Sequence, residues 1–190
     1  MSSNSYCTKL NNRLSAVRAT VALGLAAFML FAQAASAETW RDQLPQAKEV
    51  GQGELRWFGF RIYSAKLWSQ TQPFNQNDAF ALELTYHRAI SREQFVEKSI
   101  DEIKRIFGSR YSDQKLHAWS LELGRVFPSV VEGDELIGVY LPQRGCRFYG
   151  KNTALGEIAD VELAQAFFAI WLDPKTKDST LRANLLGLGK

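Results

Sequence analysis

The sequence predicts an α+β fold in which one large, mostly antiparallel sheet carries helices layered over one face. Three observations predict it. The elements come in blocks: strand-like segments with period-two alternation, then two helical stripes, then three short strands, then two more helices. Strand and helix do not alternate regularly, which argues against a doubly wound parallel sheet. The three late strands are separated by tight Gly-containing turns, which suit antiparallel neighbours.

Taken in order, residues 38–50 lead in through Trp40 and Leu44-Pro45 to a glycine pair, Gly51 and Gly53, read as the entrance to the first strands. Leu55-Arg56-Trp57-Phe58 is a short strand and Gly59 a bend or hairpin turn. Phe60 to Trp68 is a long strand. Its alternation puts Arg61, Tyr63, Ala65 and Leu67 on one face, and Phe60, Ile62, Ser64, Lys66 and Trp68 on the other. Pro73 and the polar run 75–78 make a loop before the strand Phe80–Tyr86. Ser91-x-x-Gln94 has capping-box form and opens a helix that Gly108 ends. A second helix fits Asp113 to about Phe127, with Leu116, Trp119, Leu123 and Val126 on one side. Glu135–Leu141, Cys146–Tyr149 and Ala154–Ile158 form a three-stranded meander. Val161–Leu172 is apolar enough to be a helix buried on most sides, and Ser179 caps a last short helix closed by Gly187.

Residues 1–37 have the three parts of a secretory signal peptide: basic Lys9, Arg13 and Arg18, an apolar run Ala19–Ala32, and Ala35-Ser36-Ala37 as cleavage site. The apolar run is shorter than the roughly 20 residues a membrane span needs. The expectation is Sec export, cleavage after Ala37, and a periplasmic or secreted domain at 38–190 with no stable membrane span. Three of the 23 basic residues leave with that segment, so 20 remain to balance 20 acidic ones. A net charge of zero gives a polyanion little to bind, and nucleic acid is not a predicted partner. Cys7 also leaves with the segment. Cys146 then has no disulfide partner and reads as a buried small apolar residue.

The residues that carry chemistry are few. His87 and His117 stand thirty positions apart, with no metal-ligand spacing around them, and both read as structural. No Walker loop, dinucleotide fingerprint or nucleophile elbow occurs, so neither metal nor cofactor is predicted, and no residue is assigned a catalytic role. Arg56 lies among large apolar side chains and is either a snorkelling surface residue or an anion anchor. Arg56 and Arg88, together with the polar-tipped rings of Tyr63 and Tyr86, could seat a carboxylate or enolate in an apolar cleft.

Four stretches together carry a family resemblance. They are Gly51-x-Gly53-x-Leu55-Arg56-x5-Ile62-Tyr63-x-Ala65-x-Leu67-Trp68, Leu84-x-Tyr86-x-Arg88-x-Ile90-Ser91, Glu132-Gly133-Asp134-x-Leu136, and Phe167–Asp173 with Leu181–Gly187. In this order and spacing the chain resembles the chalcone isomerase-like proteins, in particular their exported bacterial branch. The resemblance implies an open-faced β-sandwich of chalcone isomerase type. Plant members cyclise chalcones with an arginine, threonine, tyrosine and asparagine around a cleft. Arg56 matches the arginine. Tyr63 stands in the place of the strand threonine, Arg92 and Ser99 fall where the tyrosine and asparagine would be, and Ala169 falls near a late threonine or serine. Other members bind fatty acids without catalysis, through an arginine and a tyrosine. The resulting expectation is a non-catalytic binder of a small apolar or carboxylate ligand such as a fatty acid, with Arg56, Tyr63 and Arg88 as ligand-binding residues. The alternatives are an intramolecular lyase or isomerase on a phenolic or enone substrate, and a protein-interaction module of the envelope.

Overall fold

The computed structural model describes residues 38–189; the signal segment read at 1–37 lies outside the described residues. Six strands form one antiparallel sheet in sequence order. They are β1 (Lys48–Trp57), β2 (Phe60–Ser69), β3 (Phe80–Tyr86), β4 (Glu135–Leu141), β5 (Gly145–Tyr149) and β6 (Ala154–Ile158). The helices are α1 (Trp40–Gln43), α2 (Arg92–Phe107), α3 (Asp113–Val126), α4 (Val161–Leu172) and α5 (Ser179–Leu185). This is the α+β open sheet that the block order predicts.

The β1–β2 hairpin turns on two residues with left-handed backbone, Phe58 at φ 48° and Gly59 at φ 80°. Positive φ at both positions matches the right-handed strand twist of a two-residue hairpin. Glycine accepts it freely, whereas a residue with a Cβ carries a cost of about 1–2 kcal/mol. The first strand is not the short one expected. It is as long as β2, ten residues each, and Gly51 and Gly53 lie inside it rather than at its entrance. The reason is tertiary. A Cβ on Gly51 would collide with the carbonyl oxygens of Asn184 and Leu185, and one on Gly53 would reach Leu181 Cδ1 at 2.8 Å. The two glycines are the bed on which α5 lies.

Ser91 and Gln94 form the predicted capping box, each side chain accepting from the other's backbone N–H at 3.2 Å. In α3 the buried residues are Leu116, Trp119, Leu123 and Val126, the stripe read from the sequence. Asp160 caps α4 through the N–H groups of Glu162 and Leu163, both at 2.9 Å, and accepts from the Trp119 indole at 2.8 Å, which ties α3 to α4. The cap of α5 is Asp178 rather than Ser179: its carboxylate accepts from Leu181 N–H at 2.8 Å, and Ser179 is the first helical residue.

The main core lies between the sheet and α2–α5 and is rich in aromatic rings. Phe80 meets Phe168 edge-on at 5.0 Å, and Phe127 meets Phe148 at 4.8 Å. Cys146 is buried in this core, and burial pushes its thiol well above the ordinary range, so it stays a neutral packing group. A second, smaller core covers the opposite face. There Leu44 and Ala47, just after α1, pack on Ala81, Ile137, Val139 and Leu141. The Arg41 guanidinium lies 4.2 Å from the Trp40 ring and 4.7 Å from that of Trp68.

Candidate functional site

Strand pairing brings Tyr63 of β2 directly opposite Tyr86 of β3. Their rings meet edge to face at 5.9 Å under the C-terminal end of α4. Trp171, from that end of α4, donates its indole N–H to Tyr63 Oη at 2.8 Å. That bond joins residues 108 positions apart, and it leaves the Tyr63 hydroxyl proton without an acceptor among the described residues. Tyr86 is 1% exposed, and its hydroxyl is the one buried side-chain polar atom among the described residues with no hydrogen-bond partner. Burial raises both phenols above their usual range; the Trp171 bond opposes this at Tyr63, and Tyr63 adds to it at Tyr86. Both therefore stay protonated near neutral pH. Two neutral O–H donors side by side in an aromatic layer suit an acceptor that arrives from outside the chain, such as a carboxylate or carbonyl oxygen.

Arg56 and Arg88 sit at the same end of the sheet, outside this layer. Arg56, on β1 beside the hairpin turn, is at the surface, and its guanidinium donates to Glu54 Oε2 through Nε at 3.1 Å and Nη2 at 2.9 Å. Arg61 reaches the other oxygen of the same carboxylate at 2.5 Å. Burial would raise the Glu54 pKa, but the hydrogen bonds from Arg56 and Arg61 outweigh it and hold the carboxyl below its usual range. Arg88 is exposed in the bend after β3. Among the described residues no hydrogen bond joins any two of Arg56, Tyr63 and Arg88. His87, expected at a solvent edge, is half-buried because its Nε2 lies 2.8 Å from Ser64 Oγ; His117 is exposed on α3. Ser99, one of the positions compared with the plant cleft, donates its hydroxyl to the Phe95 carbonyl at 2.9 Å.

A half-open groove of about 280 Å³ lies at the other end of β3. Phe80, Phe107, Tyr140 and Phe168 wall it, and the amides of Gln76 and Gln165 supply polar edges. Its size is near the lower end of the roughly 300–1,000 Å³ typical of small-molecule sites. Ala169 lines it, whereas Arg56, Tyr63 and Arg88 do not. Tyr86 and Phe80 are six residues apart on β3, about 20 Å along the strand, but Leu172 at the groove directly follows Trp171, which bonds Tyr63. Among the described residues no group of three or more His, Cys, Asp or Glu side chains is placed to hold a metal ion.

Sequence reasoning singled out Tyr63 and noted Tyr86, but it missed Trp171 as the partner of Tyr63 and Glu54 as the clamp on Arg56. The second had a local signal in Glu54-x-Arg56, two residues on one side of a strand. The first had none, since only the packing of α4 over β2 joins the two rings.

A profile described as chalcone isomerase-like matches residues 52–187. A protein of Haemophilus influenzae, described as uncharacterized, is 30% identical over 142 residues, covering 74% of this chain and 68% of the relative. Among solved structures, the crystal structure of an Arabidopsis thaliana fatty-acid binding protein superposes with a TM-score of 0.57. That match spans 80% of this chain and 90% of the plant chain at 11% identity. At that identity the likeness is one of fold.

Proposed function

The chain belongs to the chalcone isomerase-like family, and on that premise we propose that it is an exported, non-catalytic binding protein for a small apolar acid such as a fatty acid. The observation that carries this reading is the partnerless, buried hydroxyl of Tyr86 beside Tyr63. In this reading a ligand carboxylate accepts from both phenols while its apolar part lies against the aromatic layer. Arg56 and Arg88, exposed at the same end of the sheet, add the positive field that draws an anion there. An acid–base catalyst would need a group that titrates near the working pH. Tyr63 and Tyr86 are shifted the other way and serve as fixed donors. The fatty-acid binding described for the plant protein with this fold supports the ligand class. Export, with cleavage after Ala37, is supported by the basic, apolar and small-residue order of residues 1–37.

A thermal-shift titration with fatty acids of graded length tests the ligand class. Ligand at 100 times Kd stabilises by about 2.7 kcal/mol, and a domain of this size gains roughly 2–4 °C per kcal/mol. A rise of about 5–10 °C is expected, and Tyr63→Phe together with Arg56→Ala diminishes it. Flat melting curves for every acid would overturn the proposal.

A further inference from the structure

We propose that the tip of the β1–β2 hairpin is a membrane-docking element, which places Trp57, Phe58 and Phe60 in the interfacial layer of an anionic bilayer. The three side chains are 66%, 85% and 67% exposed, and Trp57 and Phe58 touch only at the edge of the fold, with ring centroids 5.4 Å apart. Phe58 breaks two local rules at once. It holds a left-handed backbone that asparagine or glycine would accept more readily, and it buries almost nothing in return. Its side chain therefore has its use outside the chain.

The occupant follows from shape, area and charge. A two-residue turn is a convex point. Three aromatic side chains at these exposures offer on the order of 450 Å², about half of what one side of a stable protein interface buries, roughly 800 Å². A lipid interface demands no matching concave partner, tryptophan concentrates at headgroup level, and phenylalanine serves with it on the apolar face of interfacial anchors. Directly behind the tip, Arg56 and Arg61 share the single carboxylate of Glu54, and Arg88 is exposed at the same end of the sheet. Asp134 and Glu132 lie in the turn before β4, and the Asp134 carboxylate is engaged by the Val131 N–H at 2.8 Å. Two guanidiniums against one carboxylate leave the collar directly behind the tip with one net positive charge, which fits lipid phosphates. Nothing in this argument depends on the ligand bound deeper in the fold.

Co-sedimentation of the exported protein with phosphatidylcholine vesicles, with and without phosphatidylglycerol, tests the proposal. Wild type is expected to bind, more strongly with the anionic lipid. Phe58→Asn is expected to raise the melting temperature, because it relieves the turn, and yet to weaken vesicle binding at least about fivefold; replacing all three aromatics with serine removes binding. Arg56→Gln with Arg61→Gln should remove only the increment that phosphatidylglycerol gives. Wild type that ignores both vesicles overturns the proposal, as does vesicle binding that survives the triple substitution. A soluble envelope protein retained by wild type but lost with Phe58→Asn, without vesicle binding, overturns it in favour of a protein partner.

Discussion

Removing the hydroxyl of Tyr86 should make the ligand-free protein more stable, and removing that of Tyr63 should make it less so. The two rings are neighbours, but their hydroxyls differ in partnership. Tyr86 Oη is buried without a bond, whereas Tyr63 Oη accepts from Trp171. A buried polar group left unsatisfied costs about 1–3 kcal/mol. Tyr86→Phe deletes that cost and keeps the ring against Tyr63 at 5.9 Å and Phe95 at 6.4 Å. A gain of about 1–2 kcal/mol is expected, or roughly 2–8 °C in melting temperature for a domain of this size. Tyr63→Phe instead strands the indole N–H of Trp171, itself buried, and should lose about 1–3 kcal/mol. Ligand binding should move differently. A charge-assisted hydrogen bond contributes about 1.5–3 kcal/mol, so Tyr86→Phe should weaken affinity for the acid by roughly 10- to 100-fold while stabilising the apo protein. Urea melts of both variants with and without ligand give the four numbers. If Tyr86→Phe lowers apo stability by more than about 1 kcal/mol, the hydroxyl is bonded within the folded chain. If it leaves affinity untouched, the pair does not face the ligand.

Three further substitutions probe the frame around this pair. Gly51→Ala drives a methyl group into the backbone carbonyls of Asn184 and Leu185, so α5 must shift off β1; a loss of about 1–3 kcal/mol or more is expected in denaturant melts. Leu44→Ala empties the small core on the outer sheet face and should cost about 2–4 kcal/mol, although Leu44 lies in a segment the sequence shows only as a lead-in. Asp160→Ala removes both the α4 cap and the acceptor of the Trp119 indole, for about 2–4 kcal/mol near neutral pH. Burial raises the Asp160 pKa, but the Leu163 N–H, the Trp119 indole and the Glu162 N–H outweigh it and lower it overall. Its stabilisation is therefore complete above the unfolded value near 3.9 and fades as pH falls toward the lowered folded value. The gap between wild type and variant should be constant from about pH 5 to 8 and should narrow in acid.

Much of the frame was legible because its signals are local. The α3 stripe and the Ser91–Gln94 box depend only on residues within a few turns of each other. The meander could be read to within a residue, since turn glycines and alternation bound each short strand. The length of β1 was not legible. Its glycines look like punctuation in sequence and act as a landing surface for α5 in space, more than 120 positions later. The site divides in the same way. Tyr63 and Tyr86 stood out as polar-tipped aromatics on strands, but the lone state of one hydroxyl and the Trp171 bond of the other arise from packing between distant segments. Arg56 carried a strong signal as a charge among aromatics. The hairpin explains that signal differently, since Trp57, Phe58 and Phe60 are exposed and the arginine stands among them at the surface, clasped by Glu54.

The central claim is that the fold holds a small apolar acid by its carboxylate. Native mass spectrometry of the protein purified from the cells that make it, followed by solvent extraction and identification of what dissociates, tests it most directly. The account predicts a mass increment from an aliphatic or similarly apolar carboxylic acid, which is reduced in Tyr86→Phe. Protein that carries no such acid, and that takes none up when incubated with fatty acids, would contradict it.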